Sequence, residues 1–225
     1  METLNEFLNR WDWEQKEAHS KIEMFDPDKV RAWTNTQKQY FVKVFYHLRG
    51  HFHDFLWFMA NHSPDNNGKQ TVIDNITEEF GGNGKLHEQL YFEFGKALGV
   101  DLMDEVLNQT TYSPFAMEFN RKHLEWLAQE DWDGKVVAFA AYERLDNFDY
   151  ADLLKLAKAL GLTGKALLFF EVHTKVRHYE MANEHLGLEK IWEKNSQKVK
   201  DGFNFIGGHQ THMWRKLSDT VFNHK

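Results

Sequence analysis

The chain has 225 residues, 42% of them hydrophobic and 27% charged, with a formal net charge of −7. The acidic balance excludes a typical nucleic-acid binder, whose electrostatic footprint is basic. The absence of cysteine excludes disulfides, thiolate metal ligands and a thiol nucleophile.

Only three prolines interrupt the chain, and apolar residues recur mainly at spacings of three and four, so an all-α protein is expected. The first helix is expected over Leu4–Met24, with Leu4, Phe7, Leu8 and Trp11 on one face. Asp26-Pro27-Asp28 reads as an N-cap with proline at the first helical position, starting a helix near Val30. Thr34–His62 follows, with a core stripe of Phe41, Val44, Phe45, Leu48, Phe52, Phe55 and Met59. Ser63–Gly68 reads as a loop. Helices are then expected over Gln70–Phe80 and, after the glycine-rich stretch Gly81–Gly84, over Lys85–Leu98. Thr111–Gln129, Lys135–Leu145 and Tyr150–Leu160 come next, the last capped by Gly161. A central helix Phe169–His185 precedes Leu188–Phe203, a break at Gly207-Gly208 and a final helix to Phe222. No repeat or linker stands out, so a single domain over 1–225 is expected. No run reaches the eighteen apolar residues of a membrane span and the start lacks a signal-peptide pattern, so a soluble, cytoplasmic protein without membrane partners is expected.

The central segment, FFEVHTKVRHYEMANEH, carries three of the thirteen histidines. On a regular helix His173, Arg177, Glu180 and Glu184 share one stripe, while His178 and His185 share a second, roughly 120° away. Either stripe offers a wall for a metal site. Glu78 and Glu79 precede the glycines, whose bend allows His87 to fold back toward a carboxylate. Alone, that group also fits a solvated surface. Glu143 has apolar stripe mates, Phe139 and Ala140, and should point inward, where an acid must be paired or metal-bound. His47, His51 and Asp54 flank the core stripe of their helix and read as solvated. His209 and His212 read as surface histidines. No phosphate-binding loop, dinucleotide fingerprint or serine-hydrolase motif is present.

The order of DNITEEFGG, His87, AAYERL and FFEVH resembles the haem-oxygenase-like di-iron oxidase/oxygenase superfamily. That superfamily includes the chlamydial death-domain-associated protein and shares its fold with TenA thiaminases and pyrroloquinoline-quinone synthase (PqqC-like proteins). The resemblance spans about residues 40 to 215. It implies a single-domain helical bundle and a non-haem di-iron centre that activates O2 as co-substrate. On it, Glu79, His87, Glu143 and His173 match the iron ligands, with Glu79 and Glu143 bridging or chelating, and Glu180 stands where a second histidine is expected. Arg177 stands where the family has Asp, so the second iron should bind weakly and the arginine is free for an anionic group. A rival register uses His178 and His185. The implied partner is a small-molecule substrate bearing a carboxylate, derived from an amino acid or a fatty acid. A homodimer stays open. Two other readings compete: a binding or regulatory member with a decayed metal site, and a cofactor-independent TenA- or PqqC-like enzyme, which the missing cysteine weakens for the thiaminases.

Overall fold

The computed structural model describes residues 2–82, 84, 86–175 and 186–225, and among them no strand occurs. Helix α1 (Leu4–His19) starts at a capping box in which Thr3 and Glu6 satisfy one another's backbone amides, and it buries Phe7, Leu8 and Trp11. It stops short of Met24. The Met24 amide instead donates to Ser218 Oγ at 3.2 Å, which turns the chain through a 3-10 turn (Glu23–Phe25) and seats Met24 in the core. Asp26 caps α2 (Pro27–Arg31), accepting from the Asp28 amide, with Pro27 opening the helix as expected.

Helix α3 (Asn35–His62) is capped by Thr34 and Gln37. Helix α4 (Asn66–Glu79) begins inside the expected loop, because Asp65 accepts from the Gly68 amide at 2.8 Å and caps it early. Then come α5 (His87–Ala97), α6 (Met103–Asn108) and α7 (Pro114–Gln129). The short α6 is not evident from periodicity. Its presence corrects the reading of the His47 flank of α3. His47 is buried and its Nε2 meets Glu105 Oε2 of α6 at 2.9 Å. His51 is buried too, with Nε2 at 2.8 Å from His123 Nδ1 of α7, so only Asp54 of that trio stays exposed.

Helix α8 (Trp132–Ala159) runs unbroken where two helices are expected. The polar stretch after Leu145 stays helical rather than forming a turn, with Asp149 buried and Asn147 exposed. Asp149 Oδ2 accepts from Trp214 Nε1 at 2.9 Å and Gln210 Nε2 at 3.3 Å on the last helix, while Oδ1 lies 3.3 Å from His19 Nε2. Helix α9 covers only Leu168–His173. Of the expected helix over Phe169–His185, the first part ends at His173 with Thr174 as its cap, and the stretch from 176 to 185, with Glu180, lies outside the described residues.

Helix α10 (Leu188–Phe222) crosses Gly207-Gly208 without a break. Its interruption lies at Asn195 (φ −157°, ψ 83°), whose Oδ1 accepts from the Lys198 amide and so caps the second half. Gly207 is instead a packing residue: a Cβ there would sit 2.7 Å from the Gln15 side chain of α1. The long helices α8 and α10 pack on each other, α3 packs on α4 and α7, and α9 lies against α5 and α8. Among the described residues no helix is long and apolar enough to cross a membrane.

Candidate metal centre

Three helix ends build the site. Glu79 is the last residue of α4, His87 the first of α5, and His173 the last of α9. The turn between α4 and α5 needs its glycines. Gly81 adopts φ +83°, and a Cβ on Gly82 would lie 2.5 Å from Thr77 Cγ2 as the Gly82 amide bonds the Thr77 carbonyl. That tight reversal brings His87 Nδ1 to 2.9 Å from Glu79 Oε1. From α3, His53 Nε2 reaches Glu79 Oε2 at 3.4 Å. His173 Nε2 stands 3.9 Å from Glu79 Oε1, and its ring lies over Tyr150 with centroids 4.0 Å apart. One ligand atom from each of Glu79, His87 and His173 lies within 4.8 Å of the others.

The electrostatics of this trio favour a cation. Burial pushes the Glu79 carboxyl up, but hydrogen bonds from His53 and His87 outweigh it and hold the group well below the usual carboxylate range. Burial lowers the His173 pKa to about 3, so its ring is neutral and its approach to Glu79 is not an ion pair. The His173 Nδ1–H donates to the Phe169 carbonyl at 2.6 Å. This fixes the tautomer and leaves Nε2 as a bare lone pair facing a carboxylate oxygen. Two electron-rich atoms face each other in the interior, an arrangement that a divalent ion relieves. A carboxylate with two imidazoles is a donor set suited to iron(II), so these residues fit the metal.

Glu143 lies inside, as its apolar neighbours imply, but outside that trio. Its Oε1 accepts from Asn75 Nδ2 at 3.0 Å, and its Oε2 has no partner among the described residues. Burial raises its pKa to about 8, with the charges of Glu79 and Glu78 adding to the effect against the Asn75 bond. Asp146, one turn on, is pushed well above its ordinary value by burial and then by Glu143, Asp149 and Glu79. The interior here is rich in carboxylates and short of positive charge. Arg177 and Glu180, like the rival pair His178 and His185, lie outside the described residues. His209 is half-buried, its Nε2 donating to the Phe119 carbonyl at 2.9 Å, while His212 is exposed.

Beside the trio opens a cavity with about 510 Å³ of space between atoms, its solvent-open mouth included. Glu79, Asp146, His173 and Arg49 line it together with aromatics such as Phe52 and Trp214. Sequence reasoning misses four of the polar neighbours: Arg49, His53, Asp146 and Tyr150. Arg49 and His53 carry a usable signal, since they are four apart on α3 and so share a face. Asp146 is hidden by the reading of its segment as a break between helices, and Tyr150 by its place at the start of the second of them.

A family model described as iron-containing redox enzyme matches residues 39–202. Among solved structures, a CADD-like protein of unknown function from Nostoc punctiforme is similar with a TM-score of 0.71 at 17% identity, over 96% of each chain. A domain of unknown function with a heme oxygenase-like fold from Shewanella denitrificans gives a TM-score of 0.74 at 17% identity, over 98% of this chain and 92% of that one. These likenesses establish the heme oxygenase-like fold. No curated protein matches. The family match takes in Glu79, His87, Glu143 and His173 and well over half of the sequence, and the chain therefore belongs to the family of iron-containing redox enzymes.

Proposed function

We propose that the protein is a non-haem, iron-dependent oxidase or oxygenase that uses O2 on a small organic substrate bearing a carboxylate. The observation that carries this reading is the bare His173 Nε2 facing Glu79 Oε1 beside His87, in a family of iron-containing redox enzymes. Glu79, His87 and His173 would hold the tighter iron. Glu143, with its unpartnered Oε2, and Asp146 are the carboxylates available to a second, weaker iron. Iron bound there supplies the one-electron chemistry toward O2 that side chains lack.

The rest is the work of the chain itself. The Phe169 carbonyl holds the His173 ring in one tautomer and one orientation. His53 and His87 keep the Glu79 carboxylate ionised and aimed. Tyr150, stacked on His173, closes one side of the imidazole, and the aromatic walls exclude bulk water from the substrate.

The test is iron(II) loading of the full chain under anaerobic conditions, followed by measurement of iron per chain. Wild type should hold one iron tightly and a second at higher iron concentration. Glu79→Ala and His173→Ala should lose the tight iron, and Glu143→Gln should lose the weaker one alone. Equal iron content in wild type and His173→Ala would overturn the assignment.

A further inference from the structure

The cavity beside Glu79 and His173 contains a cation that the metal chemistry does not use. Arg49, from the middle of α3, is 8% exposed and is the only basic Lys or Arg side chain among the described residues lining that cavity. None of the described carboxylates forms an ion pair with it. Its guanidinium carbon lies 5.4 Å from the Tyr91 ring centroid and 5.3 Å from that of Phe169. Those contacts stabilise the positive charge through the ring faces. They take up no N–H donor, so the fork of the guanidinium remains available in its own plane. A buried guanidinium with no carboxylate in direct contact is costly, and a side chain kept this way gains when an anion arrives at its donors.

The position adds to the case. Arg49 shares its cavity with Glu79 and His173, and its charge acts on both His173 and Tyr150. An anion held by the fork would lie beside the metal trio. Glu79, held ionised in the same cavity, disfavours a doubly charged phosphate and leaves room for a singly charged group. The guanidinium fork matches a carboxylate bidentately. Aromatic walls, including Phe52 and Trp214, suit an apolar body behind that head.

We infer that Arg49 anchors the substrate through its carboxylate and that the substrate is an apolar monocarboxylic acid. This rests on the oxygenase reading only in calling the ligand a substrate; the anchoring itself does not depend on iron.

The experiment is calorimetric titration of the full chain, metal-free and anaerobically iron(II)-loaded, with 3-phenylpropanoate and its neutral amide, 3-phenylpropanamide. The variants are Arg49→Gln and Arg49→Lys, each checked for wild-type circular dichroism and iron content. The acid should bind both forms of the wild type. Arg49→Gln should weaken the acid by about tenfold to a hundredfold, while the amide changes little. Arg49→Lys, which keeps the charge but not the fork, should fall between and also covers the case in which the glutamine variant does not fold. Equal weakening of acid and amide would show a structural role and overturn the proposal. So would acid binding that requires iron and ignores Arg49, or no acid binding to the wild type. A chain that takes up no iron yet shows the Arg49-dependent preference for the acid overturns the oxygenase reading and leaves the anchor standing.

Discussion

His51 and His123 share one hydrogen bond deep in the protein, and neither is positioned to take up a proton. Burial lowers His51 to about 3, and burial followed by the proximity of His51 and His209 holds His123 well below its ordinary value. In the unfolded chain both titrate near about 6.5. Depressed folded values mean that their contribution to stability is complete above that pH and is lost as pH falls below it. Each group contributes roughly 1.4 kcal/mol per pH unit in that range. Denaturant unfolding of the metal-free chain should therefore contain a component of stability lost between about pH 6.5 and 5.5, opposed there by Glu143 and Asp146, whose raised values act with the opposite sign. In His123→Phe, which keeps a ring between Phe55 and Tyr142, the drop should be shallower. Parallel pH profiles for the two proteins would count against the buried pair as the acid-sensitive element.

At the scale of elements, the two halves of the α8–α10 contact and its solvent side make opposite demands on glycine. A Cβ on Gly202 would lie 2.5 Å from Val137 Cγ1 of α8, within the core. A Cβ on the exposed Gly208 meets nothing within 4 Å. Gly202→Ala should cost about 1–3 kcal/mol by overpacking. Gly208→Ala, in a helix interior with open space, should stabilise by about 0.5–1 kcal/mol. Thermal unfolding of both variants would check this, and the same sign for both would undo the distinction. The same glycines show what sequence can convey. Gly207-Gly208 looks like a break because sequence shows the missing side chains but not Gln15 packed against the first of them. Caps at Thr3, Asp26 and Thr34 are local, and their helices begin where expected. Asp146 and Asp149 look like surface residues because their partners, Trp214 and Gln210 for the second, come from far along the chain. Glu79 and His87 are legible because a glycine bend joins them within eight residues. Arg49 shares a face with His53, but its place at the site is not legible, since only the fold brings α3 beside the end of α9.

Across the whole molecule, the donors of the metal trio come from α4, α5 and α9, each at a helix terminus rather than mid-helix. A terminal residue is held by fewer backbone bonds than one in a helix interior, so its position depends more on what it touches. Burial of the carboxylates Glu79, Glu143 and Asp146 near one another adds repulsion that a divalent ion would offset. The metal-free chain should consequently unfold at a lower temperature than the iron(II)-loaded chain. At about a hundredfold excess of iron over its dissociation constant the gain is about 2.7 kcal/mol. His173→Ala should forfeit most of that gain. An unfolding midpoint that ignores both iron and the substitution would disconnect the trio from stability.

The glycine reversal after Glu79 has a further consequence in terms of chain connectivity. Glu79 and His87 close a short loop, whereas His173 joins that loop to a helix much later in the sequence. An ion held by all three is therefore a cross-link between distant parts of the chain, acting on the folded ensemble as a staple acts on a long loop. Amide exchange would register it as coupled protection: Gly81 and Gly82 should slow together with the last turn of α9 when iron binds, although among the described residues no hydrogen bond joins the two segments directly.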